Sequence, residues 1–304
     1  MSFAMAFVDM FPEQKKPYLK IIRMHDPTLN VMVFWPTAWC IELSNTSDSP
    51  NVYLLTLFFL ESFILHGAGL ILNDIFDRSI DSQVKRTQGR PLLTGELSLT
   101  KAKCYLAVLL SIGILLLLQF NYICLWLLAM CAISSTIYPV SKRFMHFPEI
   151  VLGISCSFSV LISRVAVTGG LDWSISVLFL AGVLYWTVSY TIYNSQDKHI
   201  DKRIGVKSAA LKFGNLTKIL LWSTSLVFVI SLVITGYIFQ QTLPYFVSLL
   251  VSYAMISHKI ACVDLNDPES CFKYYSFSSV GLVILLGILA GNIFKQQQVL
   301  SESV

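Results

Sequence analysis

Residues 53–81 read YLLTLFFLESFILHGAGLILNDIFDRSID, an apolar run that ends in one amide and three carboxylates. From Tyr53 to Ile75 the run is long enough to cross a bilayer, whose hydrocarbon core takes roughly 20 residues of helix. Continued as a helix, it sets Asn73, Asp77 and Asp81 at i, i+4 and i+8, on one face. Acidic groups at hydrocarbon level are costly, so they are expected to face a polar cavity or a bound cation. The stretch therefore predicts a membrane helix ending in a site for divalent metal and a polyanion such as a diphosphate. Asp74 belongs to the same acidic set and is counted among the candidate metal ligands.

The rest of the chain fits a membrane setting. Of 304 residues, 55% are hydrophobic and only 13% charged, about half the charged fraction of a soluble domain. Apolar runs recur from end to end and predict nine membrane helices, near 20–44, 53–75, 99–118, 121–139, 147–168, 172–196, 216–237, 242–261 and 275–294. The expected fold is an all-α multi-pass bundle around a central cavity. A tail of residues 1–16 precedes one domain of residues 17–295, and a tail of residues 296–304 follows. Seven scattered cysteines form no CxxC or Cys/His cluster and read as buried packing groups. The partners expected are the lipid bilayer and small molecules, with no nucleic acid.

Loop charge tests this count. Loops after the second, fourth, sixth and eighth helices hold Lys85, Arg86, Arg90, Lys142, Arg143, Lys198 and Lys207, while loops after the odd helices down to the seventh hold no Lys or Arg. By the positive-inside rule the even loops share one compartment. A second acidic pair, Asp197 and Asp201, opens onto that same face. Magnesium takes one or two carboxylates directly and keeps several waters, so two acidic sets suit ions gathered around one diphosphate. Lys and Arg beside them would neutralise its remaining charge.

The motifs resemble those of the UbiA-type intramembrane prenyltransferases. Asn73-x3-Asp77-x3-Asp81 is followed by Val84-Lys85-Arg86-Thr87 and then Arg90-Pro91 with Gly95. Tyr193-x3-Asp197-x3-Asp201 is followed by Gly205-Val206-Lys207-Ser208, and Tyr138-Pro139-x2-Lys142-Arg143 fits the loop after the fourth helix. Arg23, upstream of Pro27, also fits. The resemblance covers about residues 17 to 295 and is greatest to eukaryotic 4-hydroxybenzoate polyprenyltransferases. It implies Mg²⁺ on Asn73, Asp77, Asp81, Asp197 and Asp201, holding an isoprenyl diphosphate aided by Arg23, Arg90, Lys142, Arg143 and Lys207. Ionisation would leave an allylic cation for an aromatic acceptor, such as 4-hydroxybenzoate, to capture. Tyr138 and Tyr193 would either shield that cation or act only as interfacial anchors.

Three positions depart from the 4-hydroxybenzoate enzymes. His66 stands where the family typically has Arg, Tyr190 where it typically has Asp, and Ile200 where an extra Asp often lies. His66 is either a donor to the acceptor or a hydrogen-bonded interior His. Arg164 is either an acceptor contact or a side chain reaching to the interface. A membrane terpene cyclase on the same scaffold, in which an internal double bond captures the cation, is the alternative reading. A transporter or non-catalytic membrane partner is a third. The mitochondrial inner membrane and an endomembrane both remain open, since the first sixteen residues carry no Arg-rich, acid-free presequence.

Overall fold

Long apolar helices dominate the computed structural model, which describes residues 3–47 and 49–302. In chain order these are α1 (Thr28–Ser44), α2 (Val52–Phe76), α3 (Leu99–Leu117), α4 (Tyr122–Ser141), α5 (Pro148–Thr168), α6 (Ser176–Asn194), α7 (Thr217–Ile238), α8 (Leu243–Cys262) and α9 (Ser278–Glu302). Among the described residues, eight helical segments are long and apolar enough to cross a membrane. The remaining long helix, α1, has 17 residues and spans about 25 Å at the helical rise.

The helices follow one another around a ring. α1 packs on α2, α5 and α9; the ring then runs α9, α8, α7, α6, α5, α4 and back to α2, with α3 laid against the outside of α2. Because α1 has neighbours on several sides it is buried nearly all round, from Met32 and Val33 through Trp39 to Leu43. A helix so enclosed needs no polar face, and its sequence shows none. Trp39 packs edge-on against Tyr185 of α6, and its indole N–H donates to the Gly281 carbonyl of α9 at 2.9 Å.

Small residues let α5 and α6 approach closely. A Cβ added at Gly153 would meet the Val183 carbonyl oxygen at 2.6 Å, and one at Gly182 would meet Ser157 Oγ at 2.8 Å. Between membrane helices such approach supplies the van der Waals contact that apolar burial cannot, since lipid is as apolar as leucine. Large side chains such as Leu115, Trp126 and Leu250 are left on the outer surface, where lipid is their expected neighbour.

One predicted helix is divided. The 20–44 segment becomes a short helix, Lys16–Ile21, and then α1, with the chain turning through residues 22–27. Pro27 lacks an N–H and disfavours helical backbone at Asp26, so the helix restarts after it. The Asp26 carboxylate fixes the restart by accepting from Thr28 N at 3.3 Å and Thr28 Oγ1 at 2.6 Å. Within this turn Arg23 takes a left-handed backbone, φ 61°, a conformation that costs a non-glycine residue about 1 kcal/mol or more.

Candidate active site

Both acidic motifs sit where a membrane helix breaks. α2 stops at Phe76, Asp77 has φ −89° and ψ 6°, and a new short helix runs Arg78–Asp81. α6 stops at Asn194, a tight turn covers Ser195–Asp197, Asp197 has φ −102° and ψ 2°, and Lys198–Ile204 forms another short helix. The middle Asp of each motif thus shares one sparsely populated backbone region, common at active sites. The uninterrupted helical face expected for Asn73, Asp77 and Asp81 is corrected accordingly. The i to i+4 bonds nevertheless persist, from Asp77 N to Asn73 O and from Asp81 N to Asp77 O, both at 2.8 Å. The freed Phe76 carbonyl accepts from Arg143 at 3.4 Å.

Each loop after a motif is folded back over the site. Thr87 Oγ1 donates to the Asp81 carbonyl at 2.6 Å and the Val84 carbonyl at 3.0 Å. That turn returns Arg90 to the acidic set just ahead of the Pro91–Thr94 helix. Gly205, at φ 78°, ends the Lys198–Ile204 helix in the left-handed conformation that favours glycine. Lys207 N then donates to the Lys142 carbonyl at 2.8 Å. Buried Glu149 ties the same loop to α6, accepting from Ala209 N at 3.3 Å and Asn194 Nδ2 at 3.2 Å. Sequence reasoning passed over Glu149, although its place just after Pro148 in the first turn of α5 was a visible sign.

The charges are paired across elements. Arg23 Nη2 donates to both oxygens of Asp74, at 2.7 and 3.0 Å. Arg90 Nη1 donates to Asp74 at 2.9 Å and also to Asp81. Lys142 Nζ reaches Asp77 Oδ2 at 2.8 Å and Asn73 Oδ1 at 3.3 Å. Arg86 donates to both oxygens of Asp197 and to Tyr193 Oη, the last at 3.1 Å. Burial pushes the Asp81 carboxyl up to about 6, against the pull of Arg90 and with a further push from Asp74 and Asp77.

One oxygen of the acidic set is left without a partner by the protein. Asp77 Oδ1 is buried and has no hydrogen-bond partner, an unusual condition for an anionic oxygen. Among the described residues no three His, Cys, Asp or Glu side chains converge as a ligand cluster. The motif oxygen donors that line the cavity, four carboxylates and the Asn73 amide, are of the kind magnesium takes, with water and substrate phosphate completing its shell.

A cavity of about 710 Å³ joins the two motifs. Its mouth is lined by Asp77, Asp81, Asp197 and Asp201 together with Arg23, Arg86, Arg90, Lys142 and Lys207, with Asn73 just inside. Tyr138, Tyr190 and Tyr193 line it too, Tyr190 standing 5.1 Å from the Tyr193 ring centroid. His66 lines the cavity on α2, with its ring 6.2 Å from that of Trp186. Leu65, Leu152, Ser155, Ser159 and Ile162 form an interior wall of apolar and small side chains. Two predicted residues lie apart from the lining: Asp74 is buried beneath its arginines, and Arg143 is exposed. Arg164 is paired instead with Asp172, at 3.0 Å, and with Ser44 at 2.8 Å.

Residues 33–286 match the family model described as the UbiA prenyltransferase family, and the chain belongs to that family, a class of multi-pass membrane enzymes. It is 38% identical over 285 residues to the "4-hydroxybenzoate polyprenyltransferase, mitochondrial" of Aedes aegypti, covering 92% of this chain and 64% of that one. The Drosophila pseudoobscura pseudoobscura protein of the same name is 37% identical, over 92% of this chain and 71% of its own length. The chain thus spans just under two thirds of the first of these relatives and more of the second. In fold it is similar to a UbiA homolog from Archaeoglobus fulgidus bound to GPP and Mg²⁺, with TM-score 0.64 and 17% identity over 90% of this chain and 99% of that one.

Proposed function

We propose that this chain transfers an isoprenyl group from its diphosphate to a hydroxylated aromatic ring, with Mg²⁺ as the metal. The observation that carries this reading is the convergence of Asp77 and Asp197 on one cavity whose mouth is cationic and whose interior is apolar and aromatic. Relatives named for polyprenyl transfer to 4-hydroxybenzoate, and the archaeal homolog bound to GPP and Mg²⁺, support it.

Asn73, Asp77 and Asp81 from the first motif, with Asp197 and Asp201 from the second, would hold the metal, and the orphaned Oδ1 of Asp77 fits that role. Bound there, Mg²⁺ supplies Lewis-acid charge to the diphosphate oxygens. Asp74 plays a different part. By engaging Arg23 and Arg90 it aims two guanidinium groups whose remaining N–H donors are left for the diphosphate. Lys142 and Arg86 stand on the other side of the mouth. As the C1–O bond breaks, its electron pair leaves on the pyrophosphate, and these fixed cations stabilise that charge.

The allylic cation left behind lies against electron-rich ring faces of Tyr138, Tyr190 and Tyr193. An aromatic carbon of the acceptor bonds to C1 and then loses its proton, which leaves with solvent at the mouth. The apolar wall keeps water from competing as nucleophile. Membranes containing the protein, supplied with prenyl diphosphates of several lengths, Mg²⁺ and hydroxylated aromatics, test the reading by mass spectrometry. Prenylated aromatic and pyrophosphate are expected, both lost on chelation of the metal. Hydrocarbon formed without any acceptor would make the protein a cyclase, and absence of both products would remove the enzymatic reading.

A further inference from the structure

His66 and Tyr190 share one geometry relative to the two acidic motifs. His66 lies seven residues before Asn73, and Tyr190 lies seven residues before Asp197. Seven helical residues are nearly two turns, so each sits on the same face as its motif and about 10 Å deeper. The pair marks one tier of the cavity below the charged mouth. Trp186 joins the two sides of that tier, with ring centroids 6.2 Å from both His66 and Tyr190. Tyr138 closes it, edge-on to Tyr190 at 6.2 Å.

Hydrogen bonding fixes what His66 presents to this tier. Asn30 Nδ2 donates to the Ile22 carbonyl at 3.1 Å, which assigns the amide nitrogen to that side. Asn30 Oδ1 must then face His66 Nδ1, at 2.6 Å. An amide oxygen only accepts, so the imidazole proton sits on Nδ1 and Nε2 carries a lone pair. Nε2 has no partner among the described residues, and the half-buried ring borders the cavity. Among the described residues no carboxylate is paired with the ring to hold it as imidazolium.

Among the described residues, no cation is free at this level to meet an anionic acceptor. Arg23 and Arg90 are committed to Asp74, Lys142 to Asp77 and Arg86 to Asp197. Lys142 comes within 4.3 Å of the Tyr138 ring centroid at the edge of the tier, but it does so paired with Asp77, as Arg23 is with Asp74, and the diphosphate claims what these cations have left. A carboxylate lowered to the His66 tier would meet a lone pair and aromatic rings, and would stay unpaired in an apolar setting. A hydroxyl there would find its acceptor.

We infer that the acceptor subsite of this protein reads a hydroxyl through His66 Nε2, and favours neutral phenols over phenolic acids. The inference rests on the transferase reading above and narrows its substrate class. The hydroxyl donates to Nε2, Asn30 holds the imidazole in the tautomer that accepts, and Tyr190, backed by the buried Trp186, flanks the aromatic ring.

The test uses the full chain in membranes with prenyl diphosphate and Mg²⁺. Three acceptors are compared: 4-hydroxybenzoate, its methyl ester, and 4-methoxybenzoate methyl ester. The neutral phenol is expected to exceed the carboxylate in kcat/KM by about tenfold or more, the cost of leaving a buried anion unpaired, and the methoxy compound is expected to fail. His66→Arg should reverse the preference toward the carboxylate. His66→Gln, which keeps a neutral acceptor at that place, should retain the preference for the phenol. Preference of the wild-type protein for 4-hydroxybenzoate, or an unchanged ratio in His66→Arg, overturns the inference while leaving prenyl transfer standing. No prenylated product and no pyrophosphate with any acceptor would instead overturn the transferase reading, and this inference with it.

Discussion

Arg86 donates to both carboxylate oxygens of Asp197, so a residue of the loop after α2 grips the middle acid of the motif after α6. The same guanidinium donates to Tyr193 Oη at 3.1 Å and lies 5.3 Å from the Tyr193 ring centroid. Two distant segments are thereby locked across the mouth by one planar group. Lysine carries the charge but not the fork. Arg86→Lys is expected to lower kcat/KM for the prenyl diphosphate by about 10- to 100-fold, the worth of a charge-assisted bidentate contact. Steady-state kinetics on detergent-solubilised protein would show this, and an unchanged kcat/KM would refute the role.

Asp77 and Asp197 are expected to be the acids that activity least tolerates losing. Each is the middle residue of its motif, and each sits at the helix break facing the cavity. Asn keeps the size and removes the charge, so Asp77→Asn and Asp197→Asn should still insert and fold. Turnover should fall by about 10²–10³-fold or more, the usual cost of deleting one charge-stabilising group. Activity measured against Mg²⁺ concentration is the discriminating readout, since a lost ligand raises the metal requirement. Full activity in either variant would refute the metal assignment.

The bundle was legible because its signals are strong and local: recurring apolar runs, and basic residues confined to alternate loops. The motif spacing likewise singled out Asn73, Asp77, Asp81, Asp197 and Asp201, and all five line one cavity. What the sequence hid was long-range or conformational. The break at Asp77 leaves no proline or glycine as a mark, and the i to i+4 spacing survives it. The engagement of Asp74 by Arg23 links residues 51 positions apart, which no periodicity encodes. Asn30 belongs to the same class: buried behind the lining, it is tied to the cavity only by its contact with His66.

Small side chains in the cavity wall set how much tail it can take. Ser155 and Ser159 line the interior on one face of α5, four residues apart, with Ile162 beyond them. Ser159→Phe would fill that space with a ring. Product yield is expected to shift toward shorter isoprenyl chains when geranyl, farnesyl and geranylgeranyl diphosphates compete in one reaction. Some loss of stability, about 1–3 kcal/mol, accompanies overpacking of this kind. A chain-length profile identical to wild type would place the tail elsewhere.

Glu61 supplies a prediction about stability rather than chemistry. It lies in the apolar part of α2, is 3% exposed, and neither carboxyl oxygen has a hydrogen-bond partner. It is also absent from the cavity lining. A buried polar group left without partners costs about 1–3 kcal/mol, and nothing in its described surroundings offsets that cost. Glu61→Leu, close in volume, should therefore raise the thermal unfolding midpoint in detergent while leaving turnover unchanged. Glu61→Lys should do the reverse and lower it, since an unpaired ammonium is placed in the same apolar contact. The pair of variants separates two meanings of the residue. A Glu61→Leu protein that folds normally yet loses activity would show that the carboxyl serves the reaction, whereas a stabilised and active one shows that it does not.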